Sequence, residues 1–335
     1  MVWDTVQEQP KADSTLDVRL YRARDYAAVS SLFTHIFKQP MTPSFHAWKY
    51  RPGKSGAIVV FKDGELVAHY GGVGAEIVLN GKESSAMQIV DVMVTPSARQ
   101  AVRKTSPFFL AGSRFLEQFI GSEQPWLLGY GFPSDRHMRL AAHLGLYAPV
   151  GRMAELVWKS ADMAKAPRPW WRVETLTLDN SPTSVGKLDR LWAAMRLDMH
   201  DVCAVVKDAD WLRWRYLEHP ERAYQVQLVS NRFTGKLIGL YVARQEGERL
   251  FLLDLVAPRA TLAALIQLAA HDAQQQQLAS LMTWCSQGLI DWMPHSNAVV
   301  TPLAITTPAN IWTKGPAPDS LQDRWWLLPG DTDFL

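Results

Sequence analysis

The chain has 335 residues, 47% of them apolar, which is enough for two domains with separate cores and too apolar for wholesale disorder. Lys and Arg total 35 against 33 Asp and Glu, so the formal charge of +2 argues against a bulk electrostatic grip on nucleic acid. The two cysteines, Cys203 and Cys285, have no CxxC spacing, which argues against a disulfide framework or structural zinc and fits a reducing compartment.

Residues 1–16 are polar, contain Pro10, and read as a loose tail without the basic and apolar regions of a secretory signal. No run approaches ~18 apolar residues, so no membrane span is expected and the setting reads as soluble and cytoplasmic. Val18–Tyr21 alternates as a strand, and Asp25 precedes a helical pattern through Val29, Leu32, Phe33 and Ile36. A short helix around Phe45–Tyr50 stops at Pro52-Gly53. Strands over Ala57–Phe61 and Leu66–Val73 flank Lys62-Asp63-Gly64-Glu65, a hairpin signal because Asp-Gly suits the positive φ of a tight turn. Asn80-Gly81 repeats the signal before an apolar strand, Met87–Val94, which Pro96 ends. A basic loop then leads into a helix near Ser106. A strand (Trp126–Tyr130), a helix (Ser134–Leu144) and two strands ending at Trp158-Lys159 follow.

The second half reads as a degenerate copy of the first. Trp48-Lys49-Tyr50 is echoed by Trp214-Arg215-Tyr216, Asp63–Val67 by Thr234–Ile238, and Val90–Pro96 by Leu253–Pro258. The order is kept, with an offset of 166 at the tryptophans and 163 at the aspartates Asp91 and Asp254. The resulting division is a tail (1–16), an N-terminal domain (17–160), a Pro-containing linker (161–170) and a C-terminal domain (171–335).

The segment most informative about chemistry runs from Gln88 to Phe109. A buried strand ends, a loop carrying Arg99, Arg103 and Lys104 follows, and Ser106-Pro107 opens a helix as N-cap and first residue. A helix N-terminus reached through three cations is a sound seat for a diphosphate. A solvated basic loop before an ordinary core helix is the plainer alternative.

At these residues the chain resembles the GNAT acyltransferase superfamily. The resemblance rests on Phe45-His46-Ala47-Trp48-Lys49-Tyr50, Asp91-Val92-Met93-Val94-Thr95-Pro96 and Gly131-Phe132-Pro133-Ser134, and covers roughly residues 17–160, extending weakly to the C-terminus. It implies an α+β fold of tandem GNAT-like domains, each a twisted, mainly antiparallel mixed sheet flanked by helices. It also implies acetyl-CoA or another acyl-CoA as co-substrate. Pantetheine would pair with the backbone near Met93 and Val94, and the pyrophosphate would lie on Arg99, Arg103, Lys104, Thr105 and Ser106, with Ser134 also at the cofactor. The loop departs from the family, whose Arg/Gln-x-x-Gly-x-Gly/Ala pattern brings backbone amides to phosphate; Arg99–Ser106 holds no glycine.

The implied reaction moves an acyl group to the primary amine of a small molecule. Asp91, a lone carboxylate on an apolar strand, stands either as general base or as a structural group bonded to a neighbouring loop, and its recurrence as Asp254 keeps both readings open. Tyr147 is the candidate acid for the departing thiolate, with a core-edge role as its alternative. No metal is called for. The second half lacks the basic loop and is expected not to bind CoA, serving instead to close the acceptor cleft or to form a homodimer. A non-catalytic binding protein, and an enzyme using a carrier-protein or aminoacyl-tRNA donor, are the competing readings.

Overall fold

The computed structural model describes residues 16–99, 103–160, 170–177, 181–295 and 297–332. The expected linker therefore lies outside the described residues, apart from Trp170. The first half runs β1 (Leu16–Leu20), α1 (Tyr26–Phe37), α2 (Pro43–Lys49), β2 (Ser55–Lys62), β3 (Glu65–Leu79), β4 (Lys82–Val94), α3 (Pro107–Phe119), β5 (Leu128–Tyr130), α4 (Asp135–His143) and β6 (Tyr147–Lys159). The second runs β7 (Trp171–Thr175), α5 (Pro182–Arg196), β8 (Cys203–Val205), α6 (Ala209–Leu212, continued by a wide turn to Leu217), β9 (Gln225–Asn231), β10 (Leu237–Glu246) and β11 (Arg249–Val256). It ends with α7 (Leu262–Gln275), β12 (Ser280–Ser286), β13 (Val299–Asn310), α8 (Pro318–Leu321) and β14 (Trp325–Trp326).

These strands form two seven-stranded sheets. The first follows β1-β2-β3-β4-β5, with β8 on the far end of β3 and β14 on β8; the second follows β13-β6-β12-β11-β10-β9-β7. Most pairs are antiparallel; β4 with β5 and β11 with β12 are parallel at the matching place in the two sheets, and β14 with β8 is parallel as well. The two strands expected before Lys159 are one continuous strand, β6, and its ladder pairs not with its own half's sheet but with β12 and β13.

Alternation along β2 shows why this strand is apolar throughout. Ile58 and Val60 face α3 with Tyr70 and Phe115, while Val59 faces α1 and α2 with Val29, Phe33 and Phe45. The N-caps are local and match the sequence: Ser106 Oγ accepts the Phe109 N–H at the mouth of α3, and Ser134 Oγ accepts that of His137 at α4. Ser113 on α3 is buried.

Candidate active site

A break in the pairing of β3 with β4 creates the site. His69 pairs with Met93 and Gly71 with Val90, so Asp91 and Val92 together oppose Tyr70. This is a β-bulge, and Asp91 takes a left-handed φ of 48° within it. One extra residue reverses the side-chain alternation. Met87 packs against α3, whereas Met93, six residues on, packs under α1 and α2, where simple alternation would have kept both on one face.

Three neighbours hold the bulge at Asp91. Lys49 Nζ lies 2.7 Å from Oδ1, Tyr50 donates its hydroxyl to Oδ2 at 2.6 Å, and His69 Nδ1 donates to the Asp91 carbonyl at 2.7 Å. Gly71 makes room, because a Cβ there would sit 2.4 Å from the Tyr50 hydroxyl. Burial works to raise the Asp91 pKa, but the Lys49 ammonium, His69 and the two hydrogen bonds outweigh it and hold the carboxyl below the usual range. Burial keeps His69 neutral by lowering its pKa.

Beside the bulge a cleft opens. The parallel ladder of β4 and β5 covers Ala86–Leu128, Met87–Gly129 and Gln88–Tyr130, and then the strands part. The gap holds about 500 Å³ and is walled by Ile89–Val92 on one side and Gly131–Ser134 on the other. Tyr70 and Tyr147 share a hydroxyl hydrogen bond at its floor, and burial pushes both phenols up, so they stay protonated. His137 also lines it; burial drives its imidazole down to about 4, so the ring is neutral at pH 7. Phe33, Phe37 and Phe45 form an apolar wall, and Glu221 and Arg222 reach in from the second half.

A mixed, mainly antiparallel sheet flanked by helices in each half is the arrangement that the sequence resemblance implied. Residues 17–104 match the family model described as "Acetyltransferase (GNAT) domain". This is a tandem GNAT-fold chain. Among solved structures it is similar to a probable N-acyltransferase of unknown function from Enterococcus faecalis V583, with a TM-score of 0.70, 16% identity, and 92% of this chain and 74% of that one covered. It is similar also to Saccharomyces cerevisiae N-myristoyltransferase with bound myristoyl-CoA, with a TM-score of 0.56, 11% identity, and 96% and 90% covered. A tandem GNAT protein from the clavulanic acid biosynthesis pathway matches with a TM-score of 0.53, 12% identity, and 90% and 100% covered. At these identities the likeness is one of fold. No curated protein matches by sequence.

Within this GNAT fold the expected site residues divide into two groups. Asp91, Tyr147 and Ser134 meet in the cleft. Met93 and Val94 lie just beyond its wall: the Met93 side chain is in the α1–α2 core, and the Val94 carbonyl accepts Arg99 Nε at 2.9 Å. Arg103, Lys104 and Thr105 are exposed at the mouth of α3, where Ser106 caps it, and the Lys104 ammonium lies over the Phe109 and Trp312 rings at 5.9 and 5.6 Å. Gln100–Val102 fall outside the described residues. Reading the sequence missed His137, Tyr70 and Arg222. For His137 a signal existed, three residues after the N-cap Ser134 and so in the first turn of α4; for Arg222 there was none.

The GNAT-like second half repeats the polar core but not the opening. Asp254 is paired with Lys207 Nζ at 2.6 Å and accepts the Tyr216 hydroxyl at 2.9 Å, just as Asp91 uses Lys49 and Tyr50. Lys207 also reaches Asp331 Oδ2 at 3.1 Å, so Asp331 is a buried ionic partner. Leu327–Thr332 fills the space beside β11 and β12. The Leu327 carbonyl accepts the Ser286 N–H while its own N–H donates to Ser286 Oγ, and Gly330 packs so tightly that a Cβ would stand 2.0 Å from the Tyr216 hydroxyl.

Proposed function

We propose that the first half is an acyl-CoA-dependent N-acyltransferase that moves an acetyl or longer acyl group to a primary amine of a small molecule. The observation that carries this reading is the open cleft where β4 and β5 part beside the Asp91 bulge, in contrast to the filled counterpart in the second half. That contrast also supports the reading that the second half does not hold CoA but closes the acceptor side, through Glu221 and Arg222.

The residues fit a CoA thioester in two respects. The first turn of α3 opens at the surface among Arg103, Lys104 and Thr105, which suits a diphosphate. The cleft leads inward from the unpaired stretch of β4 to buried hydrogen-bond donors. In the reaction the amine nitrogen attacks the thioester carbonyl carbon, the C–S bond breaks, and the nitrogen loses a proton as the amide forms. Backbone amides near Met93 and Val94 are the proposed oxyanion donors, and Tyr147, held protonated, is the proposed donor to the departing thiolate. Of the two roles considered for Asp91, the geometry favours the structural one, because both carboxylate oxygens are engaged by Lys49 and Tyr50. His137 is too weak a base to deprotonate an ammonium at neutral pH, so it orients an amine that reacts in its free-base form.

The test is calorimetry with acetyl-CoA and longer acyl-CoAs, followed by thiol-release assays over a panel of primary amines. Binding with turnover is expected. Failure of every acyl-CoA to bind would overturn the reading. The loop without glycine, with Lys104 set over Phe109 and Trp312, favours a second reading as a binding protein, for which binding without turnover is the signature.

A further inference from the structure

The cleft also carries information about the acceptor. Arg222 lines it, yet among the described residues no carboxylate or carbonyl meets its guanidinium, and Nη1 is shut off from solvent without a hydrogen-bond partner. A buried guanidinium N–H without an acceptor is costly, and the cost disappears when a ligand brings an anion to it. Glu221 cannot serve, because it is turned to the Thr42 hydroxyl at the cap of α2. The same cleft has an aromatic wall. Phe33 and Phe37 pack ring to ring at 4.7 Å, and Phe37 remains 40% exposed.

We infer that the acceptor is an amino acid with an apolar, preferably aromatic, side chain, its carboxylate held by Arg222 and its side chain laid against Phe33, Phe37 and Phe45. The inference rests on the acyltransferase reading for the amine's fate, but not for the binding of the carboxylate. The second half then acts as the specificity element of a reaction carried out by the first. Its Arg222 is placed at the cleft only because the two halves pack together.

Matched acceptors test it. L-Phenylalanine, L-phenylalaninamide and phenethylamine offer the same ring and amine with and without the carboxylate. With acetyl-CoA as donor, L-phenylalanine should have a kcat/KM about 10- to 100-fold above the other two, the range of one charged hydrogen bond. Arg222→Ala should remove that preference through KM, bringing L-phenylalanine down to the level of the other two acceptors without raising the KM for acetyl-CoA. Arg222→Lys, which keeps the charge and loses the fork, should restore part of it. Equal use of acid and amine by the parent would overturn the inference. A rise in the acetyl-CoA KM in Arg222→Ala would do so as well, by assigning the guanidinium to the donor's phosphates. Should no acceptor be turned over, the acyltransferase reading falls, and calorimetry with L-phenylalanine then decides the anion site alone. Heat lost in Arg222→Ala supports the site, and no heat with the parent refutes it.

Discussion

Trp48 and Trp214 are hydrogen-bonded to each other's backbone. The Trp48 indole N–H donates to the Trp214 carbonyl at 2.7 Å, the Trp214 indole N–H donates to the Trp48 carbonyl at 3.0 Å, and the rings stack at 5.0 Å and 18°. The exchange is reciprocal, as across a twofold axis, and it joins the same position of two internal copies. Lys49 and Tyr50, directly after Trp48, hold Asp91, and Tyr216, two residues after Trp214, holds Asp254, so the joint between the halves connects to both polar cores.

Replacing either indole by Phe keeps a ring in the stack and removes one of the two hydrogen bonds. Trp48→Phe and Trp214→Phe should each lower stability by about 1 kcal/mol, with the double variant less than additive because the two bonds share one geometry. Urea denaturation of the two singles and the double measures the coupling, and strict additivity would count against a shared joint.

Asp91→Asn leaves the Lys49 ammonium buried without its counter-charge. The expected loss of stability is about 3–5 kcal/mol, and Asp254→Asn should cost less, because Asp331 still faces Lys207. Melting temperatures recorded alongside turnover decide the role: a variant that melts like the parent but has lost turnover would make Asp91 the base after all.

Asp331 gives stability a pH dependence of opposite sign to that of Asp91. Burial, together with repulsion from Asp254, pushes the Asp331 carboxyl up to about 6, against the pull of Lys207, whose single charge is already shared with Asp254. The folded chain therefore binds more protons than the unfolded one from about pH 4 to 6, and this contribution to stability falls as pH rises through that window. Asp91 is the reverse: its pKa is depressed, so its contribution is present above about pH 4 and is lost as pH falls through the folded value. Asp331→Asn should flatten the slope of stability between about pH 4 and 6 and leave the acid limb below it. An unchanged slope would mean that Asp331 stays ionised throughout.

The pH profile of acyl transfer follows from the neutral imidazole in the cleft. With His137 at about 4, kcat/KM should show no limb near the ordinary histidine value and should climb with pH toward the pKa of the acceptor amine. His137→Gln should lower turnover while keeping the shape of that profile. A limb near 6.5 that vanishes in His137→Gln would show instead that the ring titrates as a working base.

At the mouth of α3, Arg103→Ala and Lys104→Ala should each weaken acetyl-CoA binding about 2- to 5-fold by calorimetry, the scale of one exposed charge near a helix N-terminus. Lys104→Ala should also cost a little stability, since it uncovers the Phe109 and Trp312 faces. Tight binding untouched in the double variant would place the cofactor elsewhere.

Signals with a short reach were legible in the sequence. Ser106-Pro107 and Ser134 announced the caps of α3 and α4 because an N-cap bond spans only three residues. Asp63-Gly64 and Asn80-Gly81 announced the hairpins because the turn residues themselves adopt the positive φ. The paired landmarks Trp48–Tyr50 and Trp214–Tyr216 announced the duplication, and each tyrosine does bond the aspartate of its own copy.

What could not be read was decided by partners far away in the chain. Asp91 looked like an isolated carboxylate because Lys49, Tyr50 and His69 reach it only after β4 has bulged against β3, and that bulge changes which face every later side chain of the strand meets. The sequence of β6 suits any sheet, and only tertiary packing sent it to β12 and β13. Likewise Leu327–Thr332 filled one crevice while its twin between β4 and β5 stayed open with Arg222 beside it. Local propensity determines which elements form, but crevices and charge pairs depend on which elements meet, and no window of neighbouring residues contains that.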